Sequence, residues 1–499
     1  MWIPFSNWQP DLDPVTPGVL MDGTRNIVPT RRGYRHSQAL RNVAGQADLG
    51  ANPTGLWYAM RNDGVNNLYA AVGTSMKVRV GYSWTNAVAA AVTVSAVATR
   101  WQFAQFGDLT FAGTKETQPM VTDTTTFTSI ATMPRFAIIG VANEFVMLGN
   151  VAVSATYSDG YGATMVTPGD YPDRWWCSGI GNPFAWNPDL ATQCTSGRLT
   201  DIPGPLTAGK ALGDRWVFYK QRGIWLGENT TLPFVWEWAM ISKEIGTWGA
   251  DCVAVVGDQH FFLGNDDFYS FDGQAVKPIG QGVREWFFNQ VNRNYLYKTL
   301  AFVDRNEKIV YWAYASNQSS GSSDRFICFH YENGRWGNSG DFTAHCAVEV
   351  FADNFTWDQL WAGYTWDSIP NTEWDKVAPV QNTYLPAFLK TADGALTMLY
   401  NGAPQNSTMI TSFGGDDAKT SLLRRVRMRW ITPAQEAYLT PYRLMLQGGN
   451  PEAGITRTQT FARFDFTQVA RWHKIKLDTV ASVWETTGID AEVLMRGRE

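Results

Sequence analysis

Charged residues are scarce in this chain: Asp, Glu, Lys and Arg together make up 17% of its 499 residues. The formal net charge is −5, with 41 basic against 46 acidic side chains. A protein that grips nucleic acid through its phosphates usually carries a basic excess. The composition therefore argues against tight binding of nucleic acid phosphates and is compatible only with passive contact with DNA.

Long apolar runs are also lacking. The longest one, residues 87–98, is shorter than a membrane span needs and consists mainly of small or β-branched residues. We expect it to form a buried strand, and we expect no stable insertion into a membrane. Residues 1–14 show no basic start followed by an apolar core, so no secretory signal is expected.

No Cys-x-x-Cys pair occurs, and the number of cysteines is odd. Without a secretory signal, this pattern predicts reduced thiols rather than a disulfide framework. The five cysteines are Cys177, Cys194, Cys252, Cys328 and Cys346.

Aromatic residues and turn formers are abundant. The chain has 23 Trp, 19 Tyr and 27 Phe, whose wide side chains suit pleated sheets and large permanent interfaces. Its 45 Gly and 23 Pro disfavour long helices and imply frequent turns. Together these features predict a nearly all-β protein, and the length predicts two or three domains.

A strand-and-turn pattern recurs through the middle of the chain. In residues 214–226, an apolar strand, a Gln-Arg-Gly turn and a partner strand follow one another. Similar copies recur at intervals of about 35–50 residues, the range expected for four-stranded propeller blades. Stacking blades around an axis buries the faces that one blade leaves open. We therefore predict a β-propeller-like body, with a large β-sandwich as the competing interpretation.

Differences in turn content and in strand pattern divide the chain into three parts. Residues 1–50 contain many prolines and turns but few strands, and we expect this segment to join a platform. Residues 51–351 hold the propeller-like repeats. Residues 352–499 hold separate strands and are expected to form a C-terminal, β-sandwich-like platform domain together with the N-terminal segment.

Several motifs, in a fixed order along nearly the whole chain, carry a resemblance to a known family. They are Pro10-Asp11-Leu12, Pro17-Gly18, Arg25-Asn26-Ile27-Val28-Pro29, Arg32-Gly33-Tyr34, Phe111-Ala112-Gly113, Gln118-Pro119-Met120-Val121, Asp173-Arg174-Trp175-Trp176-Cys177-Ser178, Gly181-Asn182-Pro183, Pro203-Gly204-Pro205, Trp484-Glu485-Thr486-Thr487-Gly488 and Arg496-Gly497-Arg498. In this order and spacing they resemble the tail nozzle (tail tubular protein B-like) family of short-tailed bacteriophages, the podoviruses.

The resemblance implies a structural, non-catalytic virion protein of the viral tail, assembled in the cytoplasm of the host bacterium. It implies a homohexameric ring below the adaptor, the head-to-tail connector protein, with tail fibre, needle or plug proteins as further partners. A propeller would form the body, and a platform built from both termini would face the ring above. Genomic double-stranded DNA would pass through the lumen during ejection without sequence-specific binding.

Searches for catalytic and cofactor motifs find none. The sequence has no Gly-x-Ser-x-Gly elbow and no glycine-rich phosphate loop. Cys328 with His330, and His345 with Cys346, superficially have the spacing of a zinc site. The adjacent His345 and Cys346 would nevertheless point to opposite faces of a strand unless the chain bends at His345. Buried thiols acting as small apolar residues explain the pattern better, so we expect no catalytic residue, no metal site and no cofactor.

A glycan-binding or glycan-degrading propeller tail protein is the alternative hypothesis. Residues 357–375 interleave tryptophans with carboxylates, as sugar sites do. Hydrolysis needs two carboxylates at a set separation, which a sequence does not reveal. Tryptophans that fill a joint between domains, and aspartates that cap turns, would give the same pattern.

The sharpest local signal is the cationic stretch at 424–430, Arg-Arg-Val-Arg-Met-Arg-Trp. In a strand, alternation puts Arg425, Arg427 and Arg429 on one face and the apolar residues between them on the other. A solvated outer face would explain this pattern. The functional hypothesis is an assembly interface, because guanidinium groups suit carboxylates across interfaces. Gripping DNA is the least suitable role for a conduit, since each phosphate contact adds affinity.

Overall fold

Almost all regular structure in the protein is β-strand. The computed structural model describes residues 2–90, 92, 94, 100–158, 165–230, 232, 234–351, 384–446 and 448–495. Within them no helix is long and apolar enough to cross a membrane. The N-terminal part contains four short strands: β1 (Trp2–Pro4), β2 (Ile27–Pro29), β3 (Tyr34–His36) and β4 (Arg41–Asn42).

Six four-stranded antiparallel sheets, together with four strands of a ten-stranded sheet, form blades one to seven in the described residues. Blade six is the part that belongs to the ten-stranded sheet. Blade one comprises β5 (Pro53–Met60), β6 (Asn66–Val72), β7 (Ser75–Val80) and β8 (Ser83–Asn86). Blade two comprises β9 (Gln102–Phe106), β10 (Leu109–Gly113), β11 (Met120–Thr122) and β12 (Thr128–Ser129). Blade three comprises β13 (Arg135–Ala142), β14 (Phe145–Val153), β17 (Gly169–Cys177) and β18 (Ser196–Arg198), and the hairpin of β15 (Tyr157–Ser158) and β16 (Met165–Val166) is inserted in it.

The remaining blades come from the centre of the chain. Blade four comprises β19 (Leu206–Leu212), β20 (Arg215–Lys220), β21 (Gly223–Asn229) and β22 (Trp236–Ser242), and blade five comprises β23 (Val253–Val256), β24 (Gln259–Leu263), β25 (Phe268–Phe271) and β26 (Val276–Pro278). Blade six comprises β27 (Leu300–Asp304), β28 (Ile309–Tyr314), β29 (Arg325–His330) and β30 (Arg335–Ser339). Blade seven comprises β31 (Ala344–Phe351), β32 (Tyr384–Lys390) and β33 (Leu396–Met398), and β4 is its fourth strand. The helix α1 (Arg284–Gln290) and two 3-10 turns, Ala250–Cys252 and Arg293–Lys298, lie beside blades five and six.

The blades form a closed ring. The first strand of each blade contacts the first strand of the next, and β31 of blade seven contacts β5 of blade one. Closure of this kind leaves only short outer edges exposed. The predicted propeller-like body is therefore confirmed. The expected boundary at residues 351 and 352 falls inside blade seven, because β32 and β33 follow it and β4 supplies the fourth strand; the three-part division of the chain as a whole stays a prediction.

The C-terminal region forms two packed sheets, which confirms the predicted sandwich-like platform. Its strands are β34 (Ser407–Ile410), β35 (Gly414–Gly415), β36 (Ser421–Thr432), β37 (Ala437–Leu444), β38 (Glu452–Ala453), β39 (Arg457–Thr458), β40 (Arg463–Ala470), β41 (Trp472–Thr479) and β42 (Glu485–Met495). One sheet is built around β41 and β37. The other runs β2-β3-β42-β36-β40, with β1 also on β42, and continues blade six through the pairing of Ile27 with Asn338.

A shared aromatic core joins blade six to the platform. Trp312 and Trp336 stack with ring centroids 5.9 Å apart, and Phe268 packs on both. The same buried cluster continues to Val426 and Met428 on the inner face of β36. Since burying a large apolar side chain stabilises a fold by about 1.5–3 kcal/mol, this cluster holds the two parts together.

The N-terminal segment is also fixed by polar contacts beside blade six. The Asp11 carboxylate accepts hydrogen bonds from the backbone N–H groups of Glu285 and Trp286, both at 2.8 Å, at the start of α1. The Trp286 indole donates to Asp22 at 2.9 Å. The N-terminal residues that the sequence predicts to form turns are therefore anchored beside blade six, over the rim of the propeller.

His260 connects blades four and five. Its Nε2–H donates to the Ala211 carbonyl oxygen at 2.8 Å, and its Nδ1 accepts from the Tyr219 hydroxyl at 2.7 Å. Both bonds are satisfied by a neutral imidazole. Burial lowers the pKa of His260 to about 4, so the folded chain resists protonation at this position.

Acid is expected to weaken this contact between blades. Between pH 6.5 and 4 an unfolded histidine binds a proton that His260 in the fold does not, so stability falls as pH falls. His260→Gln should remove about 1–3 kcal/mol of that pH-dependent loss, as measured by urea unfolding across this range. Tyr219→Phe keeps the histidine and should keep the pH dependence. An unchanged slope in His260→Gln would contradict the assignment.

The contact between the two termini gives a second test. A Cβ at Gly33 would collide with the carbonyl oxygen of Thr486 in β42, whereas a Cβ at Gly414 meets nothing within 4 Å. Gly33→Ala should destabilise the protein by about 1–3 kcal/mol, the usual range for overpacking. Gly414→Ala, the matched control, should change stability by less than about 0.5 kcal/mol. Equal unfolding midpoints for the two variants would show that the termini do not pack as described.

Candidate functional site

The three predicted arginines lie on the outer face of the platform. Along β36, Arg427 and Arg429 are exposed and Arg425 is half-buried. Val426 and Met428 between them are buried, with 0% and 5% of their surface exposed. The alternation expected from the sequence is therefore observed, and the apolar face packs on the shared core.

Two of these arginines are paired with carboxylates of the same chain. Arg425 donates to Asp465 of β40 at 2.7 Å and lies 3.5 Å from Glu492 of β42, and Arg429 lies 3.1 Å from Asp490. The hydrogen bond from Arg425 lowers the pKa of Asp465. These pairs are exposed and cross three neighbouring strands, so they contribute little stability individually and neutralise much of the predicted positive face.

Arg427 differs from its neighbours because it has no ion-pair partner in the described part of the chain. Beside it lies the turn between β39 and β40. Phe461 and Ala462 have φ angles of 51° and 58°, and Phe461 is 94% exposed. Arg427, Arg429, Phe461 and Arg463 together line a shallow cavity of about 240 Å³. This group, Arg427 with Arg463 around the Phe461 turn, is the candidate assembly surface.

The Phe461 turn is strained. A tight turn with positive φ at both central residues normally takes Asn-Gly, and the left-handed region costs other residues about 1–2 kcal/mol each. Sequence analysis missed this residue because nothing in the local sequence predicts a turn of this type at Phe-Ala. A strained turn that exposes a large aromatic ring is typical of a binding position rather than of a stabilising one.

Replacing Phe461-Ala462 by Asn-Gly should relieve the strain. The double variant is expected to be about 1–2 kcal/mol more stable than the parent, measured by denaturant unfolding of dilute protein. Phe461→Ser alone, which removes the exposed ring but not the backbone strain, should change stability less. A double variant that is less stable than the parent would show that the turn is not strained.

A second candidate site lies on the propeller axis, at the end where the inner strands begin. It is a cavity of about 280 Å³ lined by residues of blades two, three, four and seven and of the connections before blades five and six. The polar and aromatic lining residues are Arg100, Gln102, Thr114, Lys115, Glu116, Asn150, Thr207, Trp248, Asp251, Tyr297, Lys298 and His345. We call this the axial cavity.

Ion pairs and hydrogen bonds within the chain fix part of the lining of the axial cavity. Arg100 forms an ion pair with Asp251 at 3.1 Å and donates to the Lys298 carbonyl oxygen at 2.8 Å. Lys115 lies 2.6 Å from both Asp170 and Asn150. These contacts hold the cavity wall and neutralise two of its cations.

Of the four Cys and His residues with a zinc-like spacing in the sequence, His345 lines this cavity. Burial, together with the charges of Arg100 and Lys298, lowers its pKa to about 4. A shift in strand register does occur between Ala344 and Cys346. Cys346 nevertheless belongs to the core between blades one and seven, and Cys328 to a different core.

No group of three or more potential metal ligands comes together in the part of the chain that the structure describes. All five cysteines are buried and free, and burial raises the pKa of each thiol. The Trp-Asp stretch at 357–375 lies outside the described residues, as does Arg496-Gly497-Arg498.

Comparison with known proteins finds little. No family model and no curated protein matches the chain. YCF48 from Cyanidioschyzon merolae is 9% identical, with 72% of this chain and 98% of that one covered at a TM-score of 0.37. An exo-β-1,3-galactanase from Phanerochaete chrysosporium with β-1,3-galactotriose is 7% identical, with 90% of this chain and 100% of that one covered at 0.25. At these TM-scores the likenesses carry no argument, and the fold assignment rests on strand order and ring closure.

Proposed function

We propose that the protein is a structural subunit of a short-tailed bacteriophage tail. In this proposal it is a nozzle protein that forms a homohexameric ring below the adaptor and conducts the genome during ejection. The ordered motifs across nearly the whole chain support it. The structural observation that supports it most is the platform shared by the two termini, in which β1 and β3 pair with β42, because the resemblance implies a platform of this origin.

The proposed mechanism is mechanical. A closed propeller fused through blade six to a sandwich is a stiff unit, since one buried core spans both parts. Identical head-to-tail contacts between such units close a ring and leave no free interface. The net charge of −5 suits a conduit, because DNA slides more easily along a surface that makes few phosphate contacts.

The candidate assembly surface would make the contacts between copies, or with the adaptor. Aromatic residues and arginines dominate the energetics of protein interfaces, and both types stand together at Phe461 and Arg427. Arg425 and Arg429 are engaged with carboxylates of their own chain, so we assign them to orienting the face. Of the three arginines, Arg427 is the one without an ion-pair partner in the described part of the chain, so we assign it to meet a carboxylate of another chain.

The purified full-length protein tests the ring directly. Mass photometry and negative-stain electron microscopy should show rings of six copies, or rings that form when adaptor-bearing particles are added. A species that stays monomeric across the concentration range and also fails to join such particles would overturn the proposal.

Substitutions on the candidate assembly surface should weaken the ring without unfolding the chain. Arg427→Glu and Phe461→Ser are each expected to raise the dissociation constant of assembly by about tenfold or more, the range of interface hot spots. Matched controls are Arg222→Glu and Phe234→Ser, an exposed arginine and an exposed phenylalanine on blade four. If the controls weaken assembly as strongly as the test variants, a different surface makes the contact.

A further inference from the structure

We propose that the axial cavity binds a neutral saccharide of one or two rings, and that it binds without cleaving. This inference goes beyond the structural role proposed above and does not depend on it. It rests on which groups of the lining are already bonded and which are free.

Five polar side chains of the lining have no hydrogen-bond partner among the described residues. They are the Gln102 amide, the Glu116 carboxylate, the Tyr297 hydroxyl, the Lys298 ammonium and the His345 imidazole. Gln102 and Glu116 belong to blade two, Tyr297 and Lys298 to the 3-10 turn before blade six, and His345 to blade seven. All five line one space. The buried Nε of Arg100 is also unbonded. Gln102, Lys298 and His345 are half-buried, whereas Glu116 and Tyr297 are exposed. Buried polar groups are normally satisfied, so the half-buried groups around the buried Nε of Arg100 point to a polar ligand.

The charges of the free groups favour a neutral ligand. Arg100 is balanced by Asp251, and Lys115 by Asp170. One cation, Lys298, and one carboxylate, Glu116, then remain, while the lowered pKa keeps His345 uncharged at neutral pH. A cavity that offers donors and acceptors in balance suits hydroxyl groups, each of which both donates and accepts.

Aromatic surface in the same cavity favours a sugar over other polyols. Tyr297 is 50% exposed, and Trp248, whose indole donates to the Gly264 carbonyl oxygen at 3.2 Å, is held beside it in the lining. A pyranose ring has an apolar face that packs on such surfaces and a rim of hydroxyl groups for the polar ones. The volume of about 280 Å³ lies at the small end of ligand sites, which limits the ligand to one or two rings.

Binding without cleavage follows from the carboxylates. Glycoside hydrolysis takes two carboxyl groups, one as acid and one as base or nucleophile. In the described lining Glu116 is free, but the Asp251 carboxylate is held by the Arg100 guanidinium at 3.1 Å. The described lining therefore offers one carboxylate that is not engaged by a cation, where hydrolysis takes two.

Titration of the full-length protein with glucose, galactose, lactose, maltose and glucuronate tests the inference, with binding measured by calorimetry and by ligand-observed NMR. Saturable binding of at least one neutral sugar is expected. Tyr297→Ala and Glu116→Gln should each weaken it by about tenfold, and Tyr82→Ala, an exposed tyrosine outside the cavity, should not.

Several outcomes would overturn the inference: no saturable binding of a neutral sugar, equal binding in Tyr297→Ala, or a preference for glucuronate. Release of reducing ends from lactose or maltose would overturn the non-cleaving part. Circular dichroism of the variants checks the fold. Because ring assembly is measured separately, failure here and failure of the nozzle proposal are distinguishable.

Discussion

The N-terminal hairpin β2–β3 is the element on which the rest of the platform depends. Its first strand pairs with blade six, where Ile27 meets Asn338, and its second strand pairs with β42, where Tyr34 meets Thr486. Unpaired strand edges expose N–H and C=O groups that must find partners. One short hairpin satisfies the edge of the propeller and the edge of the C-terminal sheet at once.

The hairpin β2–β3 joins the propeller and the platform into one stiff body. The propeller ring closes on itself, and β4 from the N-terminal segment completes its last blade. The segment between the hairpin and β1 is held over the rim by Asp11 and Trp286. The strands β1 and β42 from the two terminal regions therefore lie in the same sheet. The surfaces of this sheet, including the Arg427–Phe461 group, are fixed relative to the propeller axis.

Much of the fold could be predicted because the relevant signals are local. Two-residue alternation and turn chemistry mark strands wherever they occur, and a repeat of constant length follows from blades of constant strand number. The place of blade seven was not predictable in this way. Its strands come from residues 41–42, 344–351 and 384–398, and no local pattern records that a strand near residue 41 pairs with one near residue 397.

The sequence by itself determined the strand-rich fold class, the propeller-like repeat and the outward face of β36, because each depends on periodicity within one segment. Only the tertiary structure decided how the charges are used. Arg425 and Arg429 meet acids on adjacent strands, while Arg427 has no ion-pair partner among the described residues. The axial cavity is likewise a product of ring closure, since Gln102, Tyr297 and His345 are far apart in the chain and converge only when the blades surround one axis.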